Sequence, residues 1–351
     1  MKKRSFVAVI VVLAVLLGVW IFIPEKENMD NEPIKEDTIQ IGMSFDSFVT
    51  ERWLRDRDVF VSTARELGAE VNVQNANGDI EEQKKHIDYF IDRGMDAIVI
   101  ISVDSYGLSE HVKKALDAGI KVISYDRLIA NGNVDLYISF DNAMVGTMMG
   151  QALVDNGISG GSVLMLGGSS ADSNVPMVEN AFREVMQQNN VTIIDSIHAQ
   201  NWEAEVAGAY IYENMDKATK VEGIMCGNDN LASQVVPALA SKRLAGQILV
   251  VGQDADLQAC QRIVEGTQLM TVYKPVEKLA KRAAECTVEL IETGEVAGEE
   301  VSLFDDGMHE VPYIGMMPIS VTEENINETI IDSGFHLKED VYLNVPEKMP
   351  K

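Results

Sequence analysis

The chain is poor in positive charge. Its 351 residues carry 29 Lys and Arg against 55 Asp and Glu, a formal net charge of −26. Phosphate contacts need clustered Lys and Arg, so this balance excludes a nucleic-acid-binding protein. Beyond Lys2-Lys3-Arg4 no basic stripe exists. Cysteine is scarce: Cys226, Cys260 and Cys286 stand far apart, odd in number, among apolar or small neighbours. They show no metal-ligand spacing, and buried free thiols are the expected state. Catalytic signatures are missing as well. The chain has no Gly-x-Ser-x-Gly, no Gly-x-Gly-x-x-Gly and no Walker loop. Its five histidines (His86, His111, His198, His309, His336) lack the nucleophile and acid of a hydrolase. No enzyme, no cofactor and no metal is expected.

What is present begins with one long apolar run, Phe6 to Ile23, preceded by the basic cluster and ended by Pro24. Eighteen residues at about 1.5 Å rise give roughly 27 Å, enough to cross a hydrocarbon core. The end of the run is bulky (Val19-Trp20-Ile21-Phe22-Ile23), without the small-residue site of a cleaved signal peptide. An uncleaved anchor over 1–24 is therefore expected, its basic flank cytoplasmic. An acidic tether over 25–37 follows.

From 38 onward, strands and helices alternate. Apolar strands are expected over 39–43, 70–74, 97–102, 122–124 and 136–139, with helices over 53–67, 80–93 and 108–118 between them. Gly68, Gly94 and Gly119 stop those helices. The rhythm restarts after Asp141-Asn142, with strands over 162–166, 191–198, 223–226 and 248–251. Such alternation indicates parallel sheets covered on both faces. At 46% apolar and 24% charged, a chain of this length supports two domains, each with its own core.

The stretch 250–275 carries the clearest site signal. A strand ends in Gly252-Gln253-Asp254, a helix is expected over 255–264, and a strand over 268–273 delivers Lys274 before Pro275. In open α/β sheets, ligands bind beyond the carboxyl ends of strands, where Asp254 and Lys274 both stand. The alternatives are a helix cap for Asp254 and a solvated charge for Lys274. Two tryptophans follow 38, Trp53 in Glu51-Arg52-Trp53 and Trp202 in Gln200-Asn201-Trp202, both in polar loop surroundings. Aromatic rings there suit the apolar C–H face of a sugar. The pair Asp126-Arg127 ends a strand, and as a surface salt bridge it would contribute little. Asn174 and Asn228 each stand at a helix start and are N-cap candidates, with Asp229 the alternative cap beside Asn228.

These motifs, in this order, resemble the D-xylose-binding proteins of the periplasmic-binding-protein type I superfamily over about residues 38–336. The resemblance implies two doubly wound parallel-sheet α/β lobes joined by a three-strand hinge, here preceded by the transmembrane helix. The first lobe is expected at 38–141 plus 274–310, the second at 142–273 plus 311–336, and a polar tail at 337–351. Crossings are expected near 140–142, 271–274 and 308–312, so Asp305-Asp306-Gly307-Met308-His309-Glu310 reads as a charged turn between lobes rather than a metal cluster. Arg52, Arg127, Asn174, Asn228, Asp254 and Lys274 would contact a sugar gripped between Trp53 and Trp202. Ser173 departs from the family, which often has asparagine there. Transcription regulators share the fold, but a helix-turn-helix and a basic face are missing.

The function this implies is binding of D-xylose or a related monosaccharide, with closure of the lobes read by a membrane partner. The anchor suggests a single-pass protein of the cell membrane, its sugar-binding lobes extracellular, signalling to a sensor histidine kinase of a two-component system. The alternative is the substrate-binding component of a xylose ABC importer, whose permease would be the partner. A sugar-modifying enzyme is the out-of-class rival, against which the absent catalytic constellation weighs.

Overall fold

Short apolar runs become central strands buried on both faces, as parallel sheets flanked by helices require. The computed structural model describes residues 38–350. Its strands are β1 (Ile39–Phe45), β2 (Ala69–Asn75), β3 (Ala97–Ile100), β4 (Lys121–Tyr125), β5 (Leu136–Phe140), β6 (Ser162–Gly167), β7 (Thr192–His198), β8 (Gly223–Cys226), β9 (Leu249–Gln253), β10 (Met270–Tyr273), β11 (Val301–Asp305), β12 (Glu310–Met316) and β13 (Ile319–Val321). They form two sheets, ordered β11-β12-β5-β4-β3-β1-β2 and β13-β10-β9-β8-β6-β7. Neighbours run parallel except β11 with β12 and β10 with β13.

The helices are α1 (Arg52–Glu66), α2 (Ile80–Asp92), α3 (Ser109–Asp117), α4 (Asn142–Asp155), α5 (Asn174–Gln188), α6 (Ala204–Glu213), α7 (Asp229–Ala240), α8 (Leu257–Glu265) and α9 (Val276–Thr293). Local chemistry sets their ends. Asp79 caps α2 by accepting from the Glu81 and Glu82 backbone N–H groups, and α8 ends at Gly266 in the left-handed region, φ 85°. The helix expected from 255 starts later, because Asp254 and Ala255 have φ of 99° and 55° and cannot belong to a right-handed helix.

The chain passes between the sheets three times: from β5 into α4, from β10 into α9, and from β12 to β13 through Met317-Pro318. The third passage falls later than expected. Tyr313 to Met316 of β12 pair with Tyr137 to Phe140 of β5, which keeps that strand in the first sheet. The acidic run 305–310 is consequently the β11–β12 hairpin turn and not a link between lobes. There Asp306 accepts from the Met308 and His309 backbone N–H groups at 2.9 and 2.8 Å.

The expected polar tail is also corrected. Val341 and Tyr342 are buried, Gln261 of α8 donates to the Asp340 carbonyl at 2.8 Å, and Lys348 donates to the Val264 carbonyl at 2.7 Å. Val341 and Tyr342 join the core, and Val345 packs against it. The anchor expected over 1–24 and the tether over 25–37 lie outside the described residues.

Candidate functional site

Both sheets present their strand carboxyl ends to one cleft. Arg52 and Trp53 follow β1, Asp126 and Arg127 follow β4, Asp172 and Asn174 follow β6, and Trp202 follows β7. Asn228 follows β8, Asp254 follows β9 and Lys274 follows β10. The eight side chains expected from the sequence (Arg52, Trp53, Arg127, Asn174, Trp202, Asn228, Asp254, Lys274) all line a single cavity.

The first-lobe wall is built from buried charge. Arg52 faces Asp56 across 3.0 Å and Asp126 across 3.2 Å. Arg127 meets Asp46 at 2.7 Å and donates to the Ser102 carbonyl at 2.8 Å, while its Nε lies 2.7 Å from Asp172 of the opposite lobe. Burial alone would raise the Asp126 carboxyl, yet Arg52, Lys274 and Arg127 together hold it below its ordinary value. Burial dominates at Asp46, Asp56 and Asp172 and raises each, against the opposing arginines. The Arg127 guanidinium is more firmly protonated than usual, because Asp172, Asp46 and Asp126 outweigh its desolvation. Trp53 is buried, and the guanidinium carbons of Arg52 and Arg127 lie 4.4 and 5.6 Å from its ring centroid.

The second-lobe wall depends on backbone geometry. Asn201 and Trp202 sit at φ of 52° and 59°, a costly conformation that turns the indole into the cleft, where Nε1 donates to Asp172 at 3.2 Å. Asp126 and Asp254, at φ of 65° and 99°, are strained in the same way. Asn228 caps α7 by accepting from the Leu231 N–H at 2.9 Å, so Asn228 rather than Asp229 is the cap, while Asp229 is buried on Thr271 and Gln268. Asn174 is no cap. Its Nδ2 donates across the cleft to the Asp126 carbonyl at 3.1 Å. Lys274 pairs with Asp254 at 2.8 Å.

Three buried polar atoms of the lining residues have no hydrogen-bond partner: Trp53 Nε1, Asn174 Oδ1 and Gln253 Oε1. Leaving such groups unpaired costs about 1–3 kcal/mol each, so the wall is poised for donors and acceptors from a ligand.

Comparison with known proteins places this architecture. Residues 41–295 match the periplasmic binding protein domain. The chain belongs to the periplasmic binding protein family. It is 40% identical over 310 residues to the D-xylose-binding periplasmic protein of Haemophilus influenzae, covering 87% of this chain and 92% of that protein. The Escherichia coli protein of the same name is 39% identical over 309 residues, covering 86% and 92%. A carbohydrate transporter solute-binding protein from Chloroflexus aurantiacus, solved in complex with D-glucose, superposes with a TM-score of 0.79 at 26% identity, covering 86% of this chain and 98% of its own.

For this periplasmic binding protein the relatives correct one expectation. Location as a single-pass membrane protein with extracellular lobes does not stand: both xylose-binding relatives are named periplasmic.

Sequence reasoning passed over Asp126, Asp172, Glu179 and Gln253, which line the same cavity. Asp126 belongs to no surface ion pair, since it is only 3% exposed. Its position directly after a strand was the available signal. Glu179 lies a full helical turn into α5, 3.0 Å from His198, and burial raises its carboxyl. No local pattern marks it.

Proposed function

We propose that this protein binds a neutral monosaccharide, D-xylose above all, between its two lobes. One observation carries the reading: every cation lining the cavity is already paired with a carboxylate. Arg52 is held by Asp56 and Asp126, Arg127 by Asp46 and Asp172, and Lys274 by Asp254. A wall whose cations are all matched by carboxylates offers strong hydrogen bonds but no net positive charge to an anion. Hydroxyl groups, which both give and accept, suit the unpaired atoms of Trp53, Asn174 and Gln253. Trp202 and Trp53 flank the ring and take its C–H faces.

The preference for xylose draws on the two relatives at 39–40% identity that carry that name. The lobes, taken as 38–141 with 274–316 and 142–273 with 319–336, close on the sugar because both contribute contacts only when shut. The partner we propose is the permease of an ABC importer, in keeping with similar solved chains named as transporter solute-binding proteins. A sensor kinase rested on the membrane anchor and has no other support.

A thermal-shift panel tests the reading. D-xylose should raise the melting temperature more than D-ribose, L-arabinose or D-glucose, since a ligand stabilises by binding the folded state. A flat response to every neutral sugar, with a rise on an anionic metabolite, would overturn it.

A further inference from the structure

Segment 171–174, which runs from the loop after β6 into the first residue of α5, meets the first lobe with alternating residues. Asp172 and Asn174 line the cavity, and they reach Arg127 and the Asp126 carbonyl. Ala171 and Ser173 do not line it. They meet Ser105, on the loop after β3. The Ser105 N–H donates to the Ala171 carbonyl at 2.9 Å, and Ser105 Oγ accepts from the Ser173 N–H at 3.0 Å. Ser105 is fully buried and held from its own side, its carbonyl accepting from the Ala130 N–H at 2.8 Å and its Oγ lying 3.3 Å from Ser102 Oγ. Ser102 in turn accepts from Arg127 through its carbonyl. The Ser173 hydroxyl has no partner, so this residue contributes through its backbone.

We propose that Ser105 is a positioning residue that clasps the second lobe outside the cavity, setting how tightly the closed protein holds any ligand but not which ligand it holds. The inference rests on the ligand-binding reading above. Its two hydrogen bonds span the lobes and exist only when the lobes are shut. They favour the closed state by the same amount whatever occupies the cavity, so they multiply every affinity by one factor. Residues that touch the ligand behave otherwise, since they weigh one sugar against another.

The test is Ser105→Ala in the full chain. It keeps the backbone bond to Ala171 and removes the acceptor for the Ser173 N–H. Calorimetry with D-xylose, D-ribose and D-glucose should show every measurable Kd rising by the same factor, about three- to tenfold for one lost hydrogen bond. Stopped-flow fluorescence should place the loss in a faster off-rate with an unchanged on-rate. An unchanged Kd, or a changed order of sugars, would overturn the clasp, and so would a slower on-rate alone. If the native chain takes up no monosaccharide, it is the binding reading that fails. The clasp is then decided by small-angle scattering: the ligand-free native chain should be more compact than Ser105→Ala, and equal radii of gyration would overturn it.

Discussion

Gly168 lies directly beneath the Trp202 indole. A Cβ placed on Gly168 would fall 2.1 Å from Trp202 Cη2 and 2.3 Å from Cζ3. Only a residue without a side chain lets this ring fold over the end of β6. Gly168→Ala should therefore push the indole out of the cleft while sparing the core. We expect sugar affinity to fall at least about tenfold, or roughly 1.4 kcal/mol, with the ligand-free melting temperature nearly unchanged. Tryptophan fluorescence titration reads the first, calorimetric scanning the second.

Arg52 bridges two carboxylates of the first lobe, Asp56 and Asp126, both almost fully buried. The Tyr125 hydroxyl also donates to Asp56. Arg52→Met would leave two desolvated carboxylates without their counter-ion, a loss of about 3–5 kcal/mol in comparable buried pairs. Urea denaturation of the ligand-free protein should show a midpoint shift of that size. Conversion of the pair partner by Asp56→Asn should cost less, because the amide oxygen still accepts from the arginine.

The two positions show what local pattern can and cannot reveal. Asp254 and Lys274 were legible because a strand end in an α/β sheet faces the ligand side whatever the rest of the chain does. The strands themselves were legible from short apolar runs between glycine-stopped helices. Asp126 was not, since an Asp-Arg dipeptide looks the same on a surface and in a cleft until the opposite lobe covers it. The left-handed backbone at Trp202 and Asp254 is likewise imposed by tertiary contacts on residues that rarely adopt it. The late third passage came from strand pairing between β12 and β5, which no local pattern encodes. Val341 and Tyr342, buried in a segment rich in charge and proline, did not announce a docked terminus.

Stability should depend on pH through Asp229. Burial pushes its carboxyl up to about 7, against the favourable charge of Arg262. The folded state thus binds this proton more tightly than the unfolded chain, whose aspartates titrate near about 3.9. The resulting stabilisation is complete below that unfolded value and is lost as pH rises through about 7. The ligand-free melting temperature should fall between about pH 4.5 and 7.5, and Asp229→Asn should flatten the slope in that window. An unchanged slope in the variant would assign the dependence elsewhere.

Charge compensation in the cavity predicts exclusion of anions. D-glucuronate and D-xylose 1-phosphate should bind at least about a hundredfold more weakly than D-xylose, a penalty of roughly 2.7 kcal/mol. Competition against a bound neutral sugar, followed by fluorescence, measures the ratio. Comparable binding of the anions would contradict the charge-matched wall.

The central claim is that residues from both sheets converge to grip one neutral sugar ring. Isothermal titration of the full chain with D-xylose, alongside Asp254→Ala, tests it most directly. We predict one sugar per chain at micromolar affinity or better, with the heat abolished in Asp254→Ala. No heat from D-xylose, or undiminished heat in the variant, would contradict the account.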